Sequence, residues 1–347
     1  MTPEILHLQK EEPNTVSPIE SFPTLSKVEE ISQIETAISH LVLVVSSKGG
    51  FVYKLRKHVG KEQVGDLCDF TTLAKRKEDC VREIEKNRPM AADLYLGIIP
   101  VARRGNFLVF EGEGEIVDWA VKMKKFSQEG KMDNLLRQNK LGEKDILELA
   151  RVIWRFHQSL SVPPEAGQYG SLQNVTKIWQ ENFEQTKPFI DKALEEDLIE
   201  KAKGEVSQFM EKNAELFKKR IEEGKVLDCH GDLHSDNVII EKGRVLPFDA
   251  LEFNKAYSIH DVASEIAFMA MDLEFSGHPD LAGVFVKEYV RLTGDEKMVK
   301  SGLLDFYKSH RAWVRGKVES WQGNFTKAKA YFDLASSYLQ LSPQMRA

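Results

Sequence analysis

The first third of the chain alternates apolar and polar residues over short runs, a pattern that is typical of β-strands. The runs Ile38–Val45 and Phe51–Lys57 flank the Gly-containing segment Ser46–Gly50 and predict a hairpin. Further strands are predicted at Leu94–Val101, Asn106–Phe110 and Ile116–Phe126. Helices are predicted at Lys27–Ala37 and, with Thr71 or Thr72 as a cap, at Thr72–Asn87.

Beyond about Ser127 the apolar residues recur every three or four positions, which is the period of an α-helix. Leu141–Ser159 and Ile259–Phe275 each carry such a stripe. The charged span Val175–Gly224 predicts two helices, and brief β runs return around Val226, Val238 and Val245.

These patterns predict an α+β protein with two lobes. Residues 1–25 contain four prolines among polar residues and predict a flexible N-terminal arm. Residues 26–127 form the small β-rich lobe, residues 128–347 form the larger helical lobe, and the connection lies near Lys125–Gly130.

Composition excludes several classes of protein. Lys and Arg number 48 against 54 Asp and Glu, a net charge of −6, which argues against general nucleic-acid binding. Three cysteines without paired spacing argue against a disulfide scaffold and fit a reducing compartment. No apolar run approaches the ~18 to 20 residues that span a bilayer, and no signal peptide is visible. We therefore expect a cytoplasmic protein with no nucleic-acid or membrane partner.

The segment His230-Gly231-Asp232-Leu233-His234-Ser235-Asp236-Asn237 carries the clearest chemistry. It lies between two apolar β runs, so we expect a loop held at both ends. Asp249 follows in a second loop, and oxygen atoms from Asp232, Asn237 and Asp249 are ligands that Mg²⁺ prefers. Phosphoryl transfer needs such a set, together with a carboxylate that accepts the proton of the attacking hydroxyl.

This loop resembles the catalytic loop of the protein-kinase-like superfamily, in which four residues separate Asp from Asn. It matches H-G-D-x-H-x-x-N, the pattern of the aminoglycoside phosphotransferase branch, at every fixed position. The resemblance implies a bilobal protein-kinase-like fold and a phosphotransferase that uses ATP or GTP, Mg²⁺ and a small hydroxylated acceptor. It also implies that Asp232 is the catalytic base and that Asn237 and Asp249 hold Mg²⁺. Ala250 stands where protein kinases have Phe after this Asp, and their following Gly is also absent.

The resemblance extends upstream into the β-rich lobe, where it implies a nucleotide-binding role. Lys54, in the strand Val52–Leu55, would bind the α- and β-phosphates, and Glu83 in the following helix would orient it. Nearby residues of the same type compete for these roles: Arg56 and Lys57 for Lys54, Glu78 and Glu85 for Glu83.

Downstream, Asp261-Val262-Ala263 resembles the D-x-A element of the family, whose Asp accepts hydrogen bonds from the catalytic-loop backbone. His230 and His234 are expected to order the loop. Over roughly residues 30 to 330 the sequence is similar to a bacterial group of aminoglycoside-phosphotransferase-like proteins of unknown substrate, some of them fused to a P-loop kinase. No P-loop motif occurs in this chain.

Several alternatives stay open at this point. His230, Asp232 and His234 would suit a transition metal, which would make the protein a metal-dependent hydrolase. The chain would otherwise be a non-catalytic nucleotide-binding or signalling module. Glu252 and Asn254 either face the substrate or make capping and loop hydrogen bonds. Arg311 and Arg315, on a late helix, either bind an anionic substrate or make salt bridges with acidic neighbours, and the sequence favours the salt bridges.

Overall fold

The computed structural model describes residues 19–21, 25, 28–47 and 49–340 of the chain. Most of the predicted arm at residues 1–25 therefore lies outside the described residues, but Ile19–Ser21 within it form a strand. The chain divides into two units. The first unit comprises the residues up to Gln128 together with Glu252–Asn254, and the second unit comprises the rest.

The first unit is built on a β-sheet, which in the described residues has seven strands. Its spatial order is β1-β6-β5-β7-β4-β3-β2, and only the β1–β6 pair is parallel. The strands are β1 (Ile19–Ser21), β2 (Val28–Glu35), β3 (Ser39–Ser46), β4 (Gly49–Arg56), β5 (Tyr95–Arg104), β6 (Phe107–Phe110) and β7 (Glu115–Lys124).

The sheet has a buried apolar core, and Lys54 lies on an interior strand of the sheet. Alternate residues of β3 and β4, among them Val42, Val44, Tyr53 and Leu55, pack into this core. Burial of side chains of this size stabilises a fold by roughly 1.5–3 kcal/mol each. Lys54 lies in β4 opposite Leu41 of β3 and Val121 of β7, so strands flank it on both sides.

The predicted helix at Lys27–Ala37 is wrong, because Val28–Glu35 within this range form the edge strand β2. Val28–Glu35 pairs antiparallel with β3, and seven of its eight residues are exposed. A strand that is exposed on both faces shows no apolar alternation, so its charged residues resemble a helix face in the sequence.

In the part of the first unit that the structure describes, two helices accompany the sheet, α1 (Lys61–Val64) and α2 (Leu73–Ala91). Thr72 caps α2 by accepting a hydrogen bond from the Lys75 amide at 3.2 Å. The Arg76 guanidinium binds the Asp118 carboxylate at 2.9 Å, which fastens α2 to strand β7. Glu83 on α2 is fully buried.

The second unit is mainly helical, which confirms the predicted contrast between a β-rich and a helical region. Within Val175–Gly224 the structure has more helix segments than the two predicted. The helices are α3 (Met132–Arg137), α4 (Glu143–Ser159), α5 (Ala166–Tyr169), α6 (Leu172–Thr186), α7 (Glu196–Lys212), α8 (Ala214–Glu222), α9 (Lys255–Ser258), α10 (Val262–Phe275), α11 (Pro279–Thr293), α12 (Lys297–Lys300), α13 (Leu303–Trp321) and α14 (Phe325–Gln340).

Two short antiparallel pairs hold the loops of the second unit. Strands β8 (Val226–Asp228) and β11 (Ile259–Asp261) form one pair, and β9 (Val238–Glu241) and β10 (Arg244–Pro247) form the other. Helix α10 is buried from Val262 to Leu273, so it is the central helix of this unit.

The thiols of Cys68, Cys80 and Cys229 are free and buried. Burial raises the pKa of both Cys68 and Cys80 to about 12. Among the described residues, no helix is both long and apolar enough to cross a bilayer.

Candidate active site

The H-G-D segment leaves strand β8 and enters a short helical turn, Ser235–Asn237, before strand β9. Gly231 has φ of +87°, and a Cβ at this position would lie 3.0 Å from the Tyr257 carbonyl oxygen. Glycine is therefore required for the chain to turn here without strain. The loop is held at both ends, as the flanking β runs predict.

Asp232 and Asn237 lie side by side in this loop. The Asn237 Nδ2 group donates to the Asp232 backbone oxygen at 3.0 Å and to its carboxylate Oδ2 at 2.9 Å. His234 Nε2 is 3.5 Å from the same carboxylate oxygen, and its ring stacks on Phe268. About a third of the Asp232 side chain is exposed, so a ligand can reach this carboxylate.

Burial and charge oppose one another at this pair. Burial alone would raise the pKa of Asp232, but the interactions with His234, Arg315 and His230 outweigh it and lower the pKa below its usual range. Burial would lower the pKa of His234, but Asp232 raises it. Asp232 is therefore ionised at neutral pH and accepts hydrogen bonds.

His230 fastens the catalytic loop to the segment that carries Asp249. His230 Nε2 lies 2.9 Å from the Phe248 backbone oxygen, and the Leu251 amide donates to the His230 backbone oxygen at 2.8 Å. The Phe248 amide donates to the Asn237 backbone oxygen at 2.9 Å. Asp249 itself is half-buried with φ of +61°, a left-handed conformation that is uncommon for Asp. Residues before and after Asp249 are thus fixed to the loop that carries Asp232.

Glu265, which the sequence analysis did not identify, is one of the acceptors for the loop backbone, and Asp272 is another, through the Ser235 amide at 2.8 Å. Glu265 Oε1 accepts from the His230 amide at 3.0 Å, and its Oε2 accepts from the Gly231 amide at 2.8 Å. His157 Nε2 lies 3.1 Å from Glu265 Oε1. Burial alone would raise the pKa of Glu265, but the bond from His157 and the nearby histidines lower it below its usual range. This fully buried carboxylate is ionised and satisfied.

The prediction that Asp261 accepts from the catalytic-loop backbone is wrong. Its carboxylate binds the buried Arg220 guanidinium at 2.6 and 2.8 Å and caps α10 through the Ala263 amide at 2.8 Å. Both carboxylate oxygens are thereby engaged, so the loop amides bind Glu265 one turn further along α10. Asp261 still supports the loop indirectly, because it fixes the start of that helix.

Arg311 on helix α13 also supports the loop. Its Nη1 donates to the Gly231 backbone oxygen at 3.2 Å, and its guanidinium lies 4.8 Å from the centre of the Phe268 ring. These contacts are not the acidic salt bridges that the sequence favoured for Arg311. Arg315, one turn later, does face an acid: its Nη2 is 3.7 Å from Glu319 Oε1.

In the first unit, the structure brings Lys54 and Glu83 together. Lys54 Nζ lies 3.0 Å from Glu83 Oε1, and only 15% of the Lys54 side chain is exposed. The competing Glu78 instead makes an ion pair with Arg82. Lys54 and Glu83 therefore form the ion pair that the sequence predicts, and their part in nucleotide binding stays a prediction.

Arg56, two residues after Lys54, joins this pair to a larger ionic group. Its guanidinium binds the carboxylates of Asp79, Glu83 and Glu252. We refer to Lys54, Arg56, Asp79, Glu83 and Glu252 as the Arg56 cluster. Asn254 lies close by and donates to the backbone oxygens of Asp66 and Leu67 at 2.9 and 3.1 Å. Glu252 and Asn254 thus make structural contacts within the first unit.

Comparison with known proteins gives the following. The chain is 31% identical over 313 residues to the uncharacterized protein Rv2004c of Mycobacterium tuberculosis, matching 88% of this chain and 60% of the relative. The choline kinase from Cryptosporidium parvum Iowa II matches with a TM-score of 0.52 and 14% identity, over 90% of this chain and 88% of that one. A thermostable mutant of aminoglycoside phosphotransferase APH(4)-Ia, in a complex with ADP and hygromycin B, matches with a TM-score of 0.51 and 12% identity, over 90% and 94%. No family model matches the sequence.

The chain has a protein-kinase-like fold. The resemblance to this superfamily that the catalytic-loop motif implies is thus confirmed at the level of the fold. Identities of 12–14% establish nothing finer than that. The chain spans about three fifths of the length of its curated mycobacterial relative, so the match covers part of that protein.

Within this protein-kinase-like fold, the donor atoms near Asp232 fit a magnesium ion. Asp232, Asn237 and Asp249 offer carboxylate or amide oxygens, the ligands that Mg²⁺ prefers. Every hydrogen bond that the Asn237 side chain makes among the described residues is made by Nδ2, so its Oδ1 atom suits a cation. Sulfur and imidazole ligands, which favour zinc, are not needed here.

The hydrogen bonds of His230 disfavour a transition-metal site formed by His230, Asp232 and His234. Both ring nitrogens of His230 face backbone groups, Nε2 the Phe248 oxygen and Nδ1 the Asp232 amide. A second group, His157, Cys229 and Glu265, has donor atoms within 4.8 Å of one another. There His157 binds the Tyr289 hydroxyl and Glu265, and Glu265 holds the catalytic loop. Hydrogen bonds among protein groups account for both arrangements.

Proposed function

We propose that the protein is a phosphotransferase that moves the γ-phosphoryl group of ATP or GTP to a hydroxyl group of a small-molecule acceptor. The observation that carries the proposal is the hydrogen bond between Asn237 and Asp232. The same loop also binds the backbone on both sides of Asp249, through His230 and Asn237. Two relatives in fold support the proposal: one is named a choline kinase, and the other is described with ADP and hygromycin B.

Asp232 would orient the acceptor hydroxyl and receive its proton. Its lowered pKa makes it a weak base, so the proton would transfer late, when the attacking oxygen has already begun to bond to phosphorus. Before that point the ionised carboxylate accepts a hydrogen bond from the hydroxyl and fixes its direction. Asn237 holds the carboxylate at 2.9 Å and so limits its rotation.

The remaining predicted residues would hold the nucleotide. Lys54 would bind the α- and β-phosphates, and Glu83 would keep its ammonium group in place. Asn237 and Asp249 would supply oxygen ligands to Mg²⁺. When bound, Mg²⁺ neutralises negative charge on the phosphates.

Nucleotide binding is tested first by thermal unfolding of the whole chain with and without Mg²⁺ plus ATP or GTP. A ligand that binds only the native state stabilises it by ~2.7 kcal/mol at a hundredfold excess over its dissociation constant. We expect a Mg²⁺-dependent rise in the unfolding temperature, weakened in Asp249→Ala. The matched control is Asp333→Ala, which removes an exposed carboxylate on helix α14 and should behave like the wild type.

Catalysis is tested with Asp232→Asn, which keeps the shape of the side chain and removes its charge. Nucleotide binding should persist, whereas phosphoryl transfer, or background hydrolysis of ATP while no acceptor is known, should fall by about 10²-fold or more. Binding without any turnover in the wild type, even with a broad panel of hydroxylated acceptors, would favour the non-catalytic module. Bound zinc or manganese with no nucleotide binding would favour the hydrolase.

A further inference from the structure

The Arg56 cluster is buried and has more carboxylates than cations. Arg56 is 1% exposed, Glu83 and Asp79 are fully buried, and Glu252 is 4% exposed. With every group ionised, Asp79, Glu83 and Glu252 carry three negative charges against the two positive charges of Lys54 and Arg56. At its rim Arg82 binds both Asp79 and Glu78, and this exposed pair adds no net charge. The buried cluster is thus one positive charge short.

A proton on Glu252 supplies the missing positive charge. Burial, the negative charge of Glu83 and, to a smaller extent, Asp79 raise the pKa of Glu252 to about 8, although Arg56 and Lys54 act in the opposite direction. The Cys68 and Cys80 thiols nearby have pKa values of about 12, so they stay neutral over the same pH range. Glu252 is therefore the group of the cluster that changes charge around neutral to mildly alkaline pH.

The position of Glu252 couples this charge to Lys54. Glu252 Oε1 accepts from Arg56 Nη2 at 2.8 Å, and the same nitrogen binds Glu83, which in turn binds Lys54. Asn254 anchors the segment to the backbone of Asp66 and Leu67, so Glu252 cannot simply swing away from Arg56. A change of charge on Glu252 therefore alters the electrostatic interactions of Lys54 through this chain of contacts.

We propose that Glu252 is a positioning residue for Lys54 and takes up a proton when Lys54 binds a nucleotide phosphate. This inference rests on the proposed function. An ionised Glu252 gives the cluster an excess negative charge, which holds the Lys54 ammonium group and repels phosphate. With Glu252 neutral, the two cations balance Asp79 and Glu83, and Lys54 is available to the nucleotide. The proton comes from solvent, adds to a carboxylate oxygen, and returns to solvent when the nucleotide leaves.

The test is calorimetric titration of the whole chain with Mg²⁺ and ADP between about pH 7 and pH 9, on both sides of the Glu252 pKa. Each titration is repeated in two buffers of different ionisation enthalpy, so that the heat difference counts the protons taken up. Because Glu252 is already largely protonated at pH 7, we expect proton uptake on binding to be small there and to approach one proton at pH 9. The affinity of the wild type should fall by up to about tenfold per pH unit above pH 8.

Glu252→Gln keeps the acceptor for Arg56 but carries no titrating proton. It should bind Mg²⁺-ADP with an affinity close to the low-pH affinity of the wild type, with little dependence on pH and no proton uptake. The matched control is Glu35→Gln, which removes a carboxylate paired with Lys57 in the same unit and should leave the proton count unchanged.

Three outcomes are decisive. Proton uptake that disappears only in Glu252→Gln supports the proposal. Binding by the wild type without proton uptake, or uptake that persists in Glu252→Gln, overturns it while leaving the proposed function intact. Absence of binding to ADP, ATP and GTP at every pH overturns the proposed function instead. The proton uptake of the wild type is measured without any variant, so the proposal can be refuted even if Glu252→Gln fails to fold.

Discussion

Glu265 and Glu252 are both buried carboxyl groups, but their pKa values shift in opposite directions. Glu265 meets two backbone amides and His157, and its pKa lies below the usual range. Glu252 meets Arg56, a cation that Asp79 and Glu83 also share, and its pKa rises to about 8. The number of donors for each carboxylate, rather than burial, decides which of the two is ionised.

This difference separates two tasks that a phosphotransferase would need. A carboxylate with enough donors is a fixed acceptor, and Glu265 fixes the backbone beside Asp232. A carboxylate short of donors responds to any charge that arrives, and Glu252 lies near Lys54, where a nucleotide would bring negative charge. The following changes test this difference between the two carboxyl groups, in order of decreasing expected effect.

The largest effect is expected from Arg56→Met. Removal of this guanidinium leaves Asp79, Glu83 and Glu252 with Lys54 as their only cation within the buried cluster. Loss of one partner from a buried ionic group costs about 3–5 kcal/mol. The free energy of unfolding from urea denaturation at neutral pH measures this loss. An effect below about 1 kcal/mol would mean that water reaches these carboxylates and the cluster is not buried as described.

Glu265→Ala is expected to cost about 2–3 kcal/mol, because the His230 and Gly231 amides and His157 lose a buried acceptor. The same urea denaturation measures it. Glu265→Gln keeps an acceptor oxygen and should recover part of the loss. If Gln and Ala proved equally destabilising, the charge of Glu265 rather than its hydrogen bonds would hold the loop.

The dependence of stability on pH should differ in sign between the two groups. The pKa of Glu252 rises on folding, so its contribution is complete below about pH 4.5 and is lost as the pH rises towards 8, by up to about 1.4 kcal/mol per unit. The pKa of Glu265 falls on folding, so its contribution is present above about pH 4.5 and is lost as the pH falls.

Urea denaturation across this pH range, for the wild type and the two Gln variants, separates the contributions. Glu252→Gln should flatten the decline in stability above pH 4.5, and Glu265→Gln should flatten the decline below it. A wild-type curve that rises from pH 5 to pH 8, with Glu252→Gln parallel to it, would show that Glu252 is ionised throughout.

The smallest effect is expected from Lys329→Ala on helix α14. Lys329 and Asp333 form an ion pair in which both side chains are more than half exposed. Exposed pairs of this kind contribute about 0.3–0.5 kcal/mol. A loss of unfolding free energy within that range, measured by urea denaturation, would show that the large losses predicted above are specific to the buried clusters. A loss above 1 kcal/mol would mean that buried and exposed ionic groups do not differ in this way.

The sequence predicts the proximity of Asp232 and Asn237 because the two residues are close along the chain. Asp232 and Asn237 are five positions apart, and a single loop conformation is enough to bring their side chains together. Lys54 and Glu83 were predictable for a different reason, because the resemblance to the kinase-like family implies an ion pair between a strand lysine and a glutamate of the following helix. The general division into a β-rich and a helical region follows from hydrophobic period alone.

Glu265 and Glu252 could not be assigned in the same way, because their partners are distant in sequence. Glu265 accepts hydrogen bonds from residues 34 and 35 positions earlier, and Glu252 binds Arg56, which lies 196 positions away. One signal was available for Glu265. Helix α10 is almost entirely apolar, so an acid within it had to have a buried partner. The failed helix at Lys27–Ala37 has the opposite cause, an edge strand too exposed to show a period.

The three buried thiols allow the unfolding of the two units to be followed separately. Cys68 and Cys80 belong to the first unit and Cys229 to the second. Because each thiol is buried, we expect it to react slowly with an alkylating reagent while its surroundings stay folded. During partial denaturation in the presence of such a reagent, the thiols of a unit become alkylated when that unit unfolds. Mass spectrometry of the alkylated peptides then measures the unfolding of each unit separately, without any engineered label.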